Sequence, residues 1–487
     1  MQTCDLRALV PFVPDASLPW DRAAVLHLHR RLGYGLPAEE VDAWVARPPA
    51  AAIREELAAA AELPPTPTPE WGTWTVLDYL VNYLGAFALA ISTQTSEYQT
   101  TYVNDMRANP WRAKLTTFWM GHFATRFEDY LIPPYLVAHV EMLQRGTFGD
   151  FREFVRAVGR DSAMLSFLNG VENTAASPNE NYARELFELF TLGEGIGYTQ
   201  TDITEAARAL TGFTAGAGAY ETIRFDPDDH DAGAKTIFGR TGNWGYDDVV
   251  DLIFEERPEE CATFISAKLY AYFVGGEPPA GVIAELAATL REANWQLPAL
   301  YERLFTSALF FSPALRGARV RDPFEYILGF ERAIGTEALL SPFVTQLVWF
   351  ESTNLGFQLF NAPDVSGWPG GRAWVNSAFV ASRQRLLTQL VGMAALTDGA
   401  RIVPWVRSLG IADEGDAAEV TRAITDYVLA RGLPAEADYA AAEAVFRGDV
   451  PMNYYTDGTW SLEYRTAGSQ TFDLLRFLFR RPEFHLC

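Results

Sequence analysis

Helical spacing of apolar residues recurs along most of the chain, and it constrains the fold more than any other feature. Segments such as 150–168 and 258–274 place apolar side chains three or four positions apart or carry helix-end signals. Evidence for strands is confined to two short runs, 222–225 and 236–238, which flank an acidic turn and suggest a hairpin. The sequence therefore predicts an all-α fold with a large multi-helix core and a small β-hairpin insertion near 222–239.

Chain length and proline placement suggest how these helices are organised. The 487 residues correspond to about two to four domains or to one large elaborated domain. Alternating prolines in 63–70 prevent a helix there and favour an extended linker. We expect an N-terminal helical segment (1–62), this linker, a central helical core that carries the hairpin (71–334), and a C-terminal helical region packed on the core (335–487).

The charge balance is strongly acidic. The chain has 39 Lys and Arg residues against 62 Asp and Glu residues, which gives a formal net charge of −23. Nucleic acids and anionic membranes attract basic surfaces, so neither is expected as a main partner. Because every 18-residue apolar stretch is interrupted by charges, no membrane span is predicted.

The N-terminus and the cysteines bear on the compartment. Asp5 and two prolines stand where an export signal needs a basic end and an uninterrupted apolar run. We therefore expect a cytoplasmic protein, with a periplasmic or exported location as the alternative if the N-terminus was trimmed. Cys4, Cys261 and Cys487 are too few and too scattered for a disulfide framework, and without a C-x-x-C pair a thiolate zinc site is excluded.

The most informative stretch of the sequence is 177–212. Ser177 and Glu180 have the spacing of a capping box, and Gly193 is suited to end the helix that follows, so we predict a helix over 178–192. A second helix is predicted from a capping-box-like start at Asp202 to an end at Gly212. The short connection between the two helices favours antiparallel packing.

A polar stripe runs along the predicted helix 178–192. Its members, spaced at i, i+3, i+4 and i+7, are Asn181, Arg184, Glu185 and Glu188. One interpretation is a solvated face with an ion pair between Arg184 and Glu188. The other is a row of carboxylate, amide and guanidinium groups that points into a functional cleft.

An acidic turn lies between the two predicted strands. It contains four aspartates within ten residues, together with His230 and Lys235. The turn lacks the glycine and the final glutamate of an EF-hand, which excludes that motif. Asp231 and His230, completed by Glu185 or Glu188, are chemically suited to Mg²⁺, Mn²⁺ or Ca²⁺ and less well suited to Zn²⁺. The alternative is that the aspartates cap their own turns and His230 makes only a local hydrogen bond.

Two further places carry polar groups in an unusual setting. His122 shares a helix face with apolar residues, which is typical of a core histidine, although charged residues follow it. The loop 361–374 is rich in glycine and tryptophan and either exposes backbone N–H groups to an anion or packs Trp368 and Trp374 on the core. The sequence contains no Walker-A loop, no G-x-G-x-x-G, no G-x-S-x-G and no H-E-x-x-H, so neither a nucleotide nor a flavin cofactor is indicated.

Four strings together resemble a known family. They are PNENYARELFELFTLG, YTQTDITEAARALTGF, HDAGAKTIFG and PDVSGWPGGRAWVNSAF, with LHRRLGYG and FWMGHFATR as weaker N-terminal matches. The chain resembles, over nearly its full length, the bacterial family catalogued as domain of unknown function 1800. The motif positions of that family correspond here to Asn179, Glu180, Asn181, Arg184, Glu185, Glu188, His230, Asp231 and Lys235.

The resemblance implies an α-rich fold and no settled activity. Members of the family are commonly exported, whereas the sequence shows no export signal. Their genes often lie beside genes for alkaline-phosphatase-like or sulfatase-like proteins. This association implies a protein partner of that type and chemistry on phosphate or sulfate esters.

Two functions remain open at this point, and the sequence does not decide whether the protein is an enzyme. In the first, the protein is a hydrolase or transferase-like enzyme that acts on an anionic phosphate or sulfate ester, with or without a divalent metal. The general base is Glu185 or Glu188, the metal ligands are His230, Asp231 and Glu185, and the anion is held by Arg184 and Lys235. In the second, the protein is a non-catalytic binding or assembly protein that partners a hydrolase-like protein.

Overall fold

The computed structural model describes residues 9–84, 86–215, 223–335 and 342–487. These residues form a predominantly helical protein with two small antiparallel sheets of two strands each. The predicted all-α fold with a large multi-helix core is therefore confirmed.

The first third of the chain is a succession of helices joined by short turns. They are α1 (Arg22–Leu32), α2 (Val41–Val45), α3 (Pro49–Glu62), α4 (Val76–Tyr83), α5 (Phe87–Ala108), α6 (Pro110–His122), α7 (Phe127–Tyr130), α8 (Pro133–Gly146), α9 (Phe151–Arg160) and α10 (Ser162–Phe167).

The middle of the chain contains all four described strands. Its elements are α11 (Asn181–Glu185), a π-helical turn (Leu186–Thr191), α12 (Gln200–Ala209), β1 (Phe213–Thr214), β2 (Arg224–Phe225), β3 (Lys235–Ile237), β4 (Arg240–Gly242), α13 (Tyr246–Glu256), α14 (Pro258–Phe273), α15 (Ala280–Glu292), α16 (Leu297–Phe305) and α17 (Pro323–Ile334).

The last third is helical again. It comprises α18 (Pro342–Asn354), α19 (Ser377–Asp398), α20 (Ile402–Ser408), α21 (Ala417–Val428), α22 (Glu436–Arg447), α23 (Asn453–Thr456) and α24 (Ala467–Phe479).

Helix α6 is the central element of the core. It contacts α1, α3, α5 and α8, and almost every one of its residues is buried, including two that are charged. A helix that is buried on all sides needs partners for its charges. Lys114 has them in Asp322 and Glu325, at 2.8 and 2.6 Å, and Arg112 pairs with Asp105. The pairs of Lys114 tie α6 to the start of α17, where Asp322 and Glu325 also form a capping box, and the pair of Arg112 ties α6 to α5.

The proline-rich segment 63–70 is free of helix up to Glu70, as predicted. It is nevertheless held to the core, because Thr66 is buried and its N–H donates to Gln144 Oε1 at 2.8 Å. Its hydroxyl donates to Asp105 Oδ2 at 2.6 Å. The apolar core is one continuous cluster that extends from Leu9 to Phe484, and the domain boundaries drawn from the sequence stay predictions.

The pairing of the short strands differs from the prediction. The two runs near 222–239 do not pair with each other: Phe225 of β2 pairs with Phe213 of β1, and β3 pairs with β4 through Thr236 and Thr241. The physical reason is a tight turn at Phe238 and Gly239, both with positive φ. This turn reverses the chain directly after β3, so that β3 pairs with the strand that follows it. Of the predicted residues, Thr222 and Cys4 lie outside the described part of the chain.

Cysteines and apolar helices complete the description. Cys261 and Cys487 are buried and carry free thiols. Within the described ranges, no single helix has the length and apolar character needed to cross a membrane. Two sharply bent helix pairs meet this criterion only when both helices of the pair are counted together, by length and composition.

Candidate functional site

The helix predicted over 178–192 changes its register halfway. It is α-helical only as α11 and continues as the π-helical turn Leu186–Thr191. The N–H groups of Leu192 and Gly193 both donate to Phe187 O, at 2.8 and 3.1 Å, and Gly193 has a φ of +101°. The helix therefore ends at Gly193, as predicted.

The predicted capping box at the start of this helix is not formed, because the Glu180 carboxylate is used elsewhere. It accepts hydrogen bonds from Thr204 Oγ1 at 2.8 Å, Gln200 Nε2 at 2.8 Å and Arg184 at 2.9 Å. The hydrogen bond from Thr204 contributes most to lowering the pKa of Glu180. Glu180 thus connects α11 to α12.

The polar stripe is half-buried and largely satisfied within the protein. Arg184 bonds to Glu180 and lies 3.2 Å from Glu188, so its guanidinium is already engaged by carboxylates on both sides. Burial, followed by repulsion from Glu188, raises the pKa of Glu185. Asn181, Arg184 and Glu188 are therefore engaged within the protein, whereas the half-buried Glu185 forms no hydrogen bond or ion pair within the described ranges.

The acidic turn is fastened to α12 by one arginine. Arg208 Nε donates to Asp231 at 2.7 Å, and the same guanidinium bonds to Glu205 at 3.0 Å. Glu205 in turn accepts the N–H of Thr236 in β3 at 3.0 Å. The hydrogen bond from Arg208 is the main cause of the lowered pKa of Asp231. Arg208 thus fastens the acidic turn to α12.

The two remaining candidates in the turn also have local partners. His230 Nδ1 lies 3.0 Å from Thr211 O and therefore carries the proton of that hydrogen bond. The Lys235 ammonium donates to Gly233 O at 3.0 Å and to Asp231 O, and burial lowers its pKa. The Lys235 ammonium, which was predicted to hold an anion, is thus hydrogen-bonded to carbonyl oxygens of its own turn.

The predicted metal ligands are not assembled into a site. Among the residues that the structure describes, no group of three or more His, Cys, Asp and Glu side chains is arranged to hold a metal ion. This includes Glu185, His230 and Asp231, which were expected to converge. The carboxylate of Asp231 bonds to Arg208 instead, and the nearest polar partner of His230 is the backbone of Thr211.

The structure brings together the other two places that the sequence singled out. His122, at the end of α6, and Trp368, in the loop 361–374, line one cavity of about 710 Å³. Lys268 of α14 and Arg372 of the loop line the same cavity. None of the stripe and turn residues predicted as catalytic or metal-binding lines it. We refer to it below as the His122 cavity.

His122 is buried in the wall of this cavity and keeps one ring nitrogen without a hydrogen bond from the described residues. Its side chain is 2% exposed, and Nε2 lies 3.0 Å from Phe190 O. Burial, and secondarily the charge of Lys268, lower the pKa of His122 well below its usual value. The ring is therefore neutral with its proton on Nε2. Its Nδ1 is buried and accepts no hydrogen bond from the described residues.

Lys268 is a half-buried cation without a counter-ion. Its ammonium lies 5.1 Å from the centre of the Phe264 ring and 3.4 Å from Leu189 O. It pairs with no carboxylate of the described chain. Burial lowers the pKa of Lys268 to about 8.

The π-helical turn links the central motif to the cavity. The two carbonyl groups nearest to His122 Nε2 and Lys268 Nζ are those of Phe190 and Leu189, neighbours in this turn. The turn also packs against α14, which carries Lys268. π-Helical turns are rare and occur frequently at functional sites, where they redirect backbone groups.

The loop 361–374 is pressed against α6 beside His122. Gly367 has a φ of +86°, and a Cβ atom there would lie 2.2 Å from Gly121 O. Only glycine fits such a close approach with a positive φ. Trp368 stacks on Phe357 with ring centres 4.2 Å apart, and Trp374 is buried. The packed-turn interpretation is therefore correct for the two tryptophans, and the loop also forms a wall of the cavity.

Some of the cationic side chains in the wall of the His122 cavity have a carboxylate partner, and others do not. Arg319 pairs with Glu325, and the buried Lys114 behind it pairs with Asp322 and Glu325. Arg372 is exposed on the loop and, like Lys268, forms no ion pair within the described ranges. The cavity therefore presents two uncompensated cations, in a protein whose overall charge is negative.

Lys268 was not among the residues predicted from the sequence, although a signal was present. The chain has 39 Lys and Arg residues, but only Lys114, Lys235 and Lys268 are lysines. Lysine differs from arginine in being a compact cation whose pKa shifts readily on burial. Because nearly all cationic side chains of this protein are arginines, each lysine is a candidate for a role that arginine cannot fill.

The fold and this site define a helical protein with a deep, partly cationic cavity between its central helix and a glycine-rich loop. The chain belongs to the family described as Protein of unknown function (DUF1800), which matches residues 27–486. The resemblance noted from the sequence is thereby confirmed over nearly the full length. Neither the curated proteins nor the solved structures contain a match to this chain.

Proposed function

We propose that this protein binds a small organic anion in the His122 cavity. The anionic group lies between Lys268 and Arg372, and a flat or apolar body of the ligand lies against Trp368. The observation that supports this most strongly is the ammonium of Lys268, which lines the cavity without a carboxylate partner in the described chain.

Electrostatics favours an anion at this position. Holding a half-buried ammonium without a counter-ion costs free energy, as the lowered pKa of Lys268 indicates. A ligand carboxylate, sulfate or phosphate would compensate this cost and form charge-assisted hydrogen bonds. A fork of donors on Arg372 and a point charge on Lys268 suit an anion with two or three oxygens.

The rest of the cavity lining favours an organic ligand over a bare inorganic ion. Phe118, Phe357, Trp368 and Trp374 line the cavity, and a volume of about 710 Å³ is typical of sites for drug-sized molecules.

The ligand class expected from the sequence is kept, but the ligand is placed in a different binding site. Phosphate and sulfate esters remain the expected substrates, but Arg184 and Lys235 are engaged by protein groups and are not needed to hold them. Catalysis by Glu185 or Glu188, a divalent cation and a hydrolase-like protein partner stay predictions that this proposal does not require.

Calorimetric titration with phenyl sulfate tests the proposal. We expect Lys268→Met to weaken binding by about tenfold or more, because a hydrogen bond to a charged group contributes roughly 1.5–3 kcal/mol. The matched control is Arg184→Met, which removes one cation from the polar stripe and should leave the affinity unchanged. Equal affinity of wild type and Lys268→Met, or loss of binding only in Arg184→Met, would contradict the proposal.

A further inference from the structure

We propose that Lys268 is a nucleophilic amine that forms an imine with a carbonyl group of the organic anion bound in the His122 cavity. This inference rests on the proposed function and names its substrate class, an aldehyde or ketone that also carries an anionic group. It is carried by the position of Lys268 in the cavity wall, where its ammonium has one long hydrogen bond of 3.4 Å and no carboxylate partner among the described residues.

The surroundings of Lys268 suit a reactive amine. Nζ lies near an aromatic ring and one backbone carbonyl, 3.4 Å away, so the described protein leaves most of its hydrogen-bonding capacity unused. Desolvation and the absence of a carboxylate from the described surroundings both favour the neutral amine, which is the nucleophilic form. The lowered pKa of Lys268, about 8, agrees with this setting.

The other two lysines have settings that oppose such chemistry. Lys114 is buried between Asp322 and Glu325, and its pKa is raised, although its burial acts in the opposite direction. Lys235 donates to two carbonyl groups of its own turn. Lys268 is therefore distinguished from them by its lack of strong partners among the described residues and by its access to the cavity.

The reaction balances within the cavity. The Nζ lone pair attacks the carbonyl carbon, an N–C bond forms, and the carbonyl oxygen becomes a hydroxyl group as a proton moves from nitrogen to oxygen. The cavity is open to solvent, so water can carry this proton from the nitrogen to the oxygen. Loss of the second amine proton and of the hydroxyl group releases one water and leaves the C=N bond. No oxidant or reductant takes part in this step.

Reductive trapping tests the inference. The full-length protein is incubated with 4-carboxybenzaldehyde and sodium cyanoborohydride, and the labelled lysines are identified by peptide mass spectrometry. We expect one adduct per chain at Lys268, formed at least about tenfold faster than at Lys114 or Lys235, and suppressed by phenyl sulfate. In denaturant, the three lysines should react alike, which provides the reference for intrinsic reactivity.

Lys268→Arg separates the inference from the proposed function. It keeps the cation but removes the nucleophile, so it should retain phenyl sulfate binding and lose the adduct. If phenyl sulfate binds wild type but Lys268 is not labelled faster than the other lysines, the imine is contradicted and anion binding stands. If Lys268 is labelled but phenyl sulfate does not compete, the reaction is unrelated to the cavity and the inference is again overturned. If neither binding nor labelling occurs, both proposals fail.

Discussion

Lys268 is a residue whose setting lowers stability and suits the binding of an anion. Its ammonium is partly desolvated and faces Phe264 and a carbonyl group, without a carboxylate in the described chain. Most charged residues of this protein are either exposed or paired, as Lys114 is with Asp322 and Glu325. An unpaired, half-buried charge is more typical of binding sites than of structural positions.

Replacing Lys268 should therefore stabilise the protein. The folded state lowers the pKa of Lys268 from 10.5 to about 8, so below pH 8 the folded protein carries an unfavourable charge. At pH 7 we expect Lys268→Met to raise the free energy of unfolding by about 1–3 kcal/mol, after allowance for partial exposure.

The difference in the pKa of Lys268 between the folded and unfolded states also determines how the stability of the protein changes with pH. Between pH 8 and 10.5 the unfolded chain binds more protons at this position than the folded chain, so wild type gains stability relative to Lys268→Met as the pH rises. Urea unfolding of both proteins at pH 7 and pH 10 measures the difference. A variant that is less stable than wild type at pH 7, or a difference that grows at pH 10, would show that Lys268 is well compensated.

At the scale of elements, the sequence predicts helix ends better than helix registers. Gly193 ends the first helix of the central motif as expected, because a positive φ at that position is visible in the residue type. The π-helical turn Leu186–Thr191 was not predicted, since its apolar spacing also fits an α-helix. Yet this turn supplies the carbonyl groups of Leu189 and Phe190 that bond to Lys268 and His122.

One helix break could not be read from the sequence. The apolar spacing of 72–92 fits a single helix, but the structure divides this stretch between α4 and the start of α5, which are separated after Leu84, a residue with a positive φ. Leucine does not signal a break, because its left-handed conformation is imposed by the packing around it and not by its residue type.

The close contact of the loop 361–374 with α6 is an element-scale feature that can be tested. Gly367→Ala places a Cβ atom 2.2 Å from Gly121 O at a φ of +86°, so the loop must move away from α6. We expect a loss of about 2 kcal/mol or more in the free energy of unfolding, together with weaker binding of phenyl sulfate.

Gly370→Ala is the matched control for this variant. Gly370 lies in the same loop with a φ of −83°, and nothing in the described chain stands within 4 Å of the position of its Cβ atom. It should change stability by less than about 0.5 kcal/mol. Denaturant unfolding of the two variants measures the change in the free energy of unfolding. Equal losses of this free energy would show that the contact between Gly367 and Gly121 does not hold the loop in place.

At the scale of the whole molecule, the fold class was predictable and the site was not. Helical periodicity is a local property, so a single sequence reveals it. The His122 cavity joins residues 122, 268 and 368, which are far apart in the chain, and no local pattern relates them. Two of these three places were recognised individually, and only the packing of α6, α14 and the loop shows that they belong together.

The predicted site around the polar stripe illustrates the converse. Its residues are close in sequence, and the structure shows that most of their charges satisfy one another: Arg184 with Glu180 and Glu188, and Arg208 with Asp231. Charge density in a sequence indicates ion pairs as readily as a functional site, because both need the same residue types. Burial and unpaired groups distinguish the two, and these are visible only in three dimensions.

A crystal structure of the protein with 4-bromophenyl sulfate tests the central claim most directly, since the anomalous signal of bromine locates the ligand without reference to its shape. The account predicts one bromine position in the His122 cavity beside Trp368, with the sulfate between Lys268 and Arg372. A ligand bound instead at Arg184 or in the acidic turn, with the cavity empty, would contradict it.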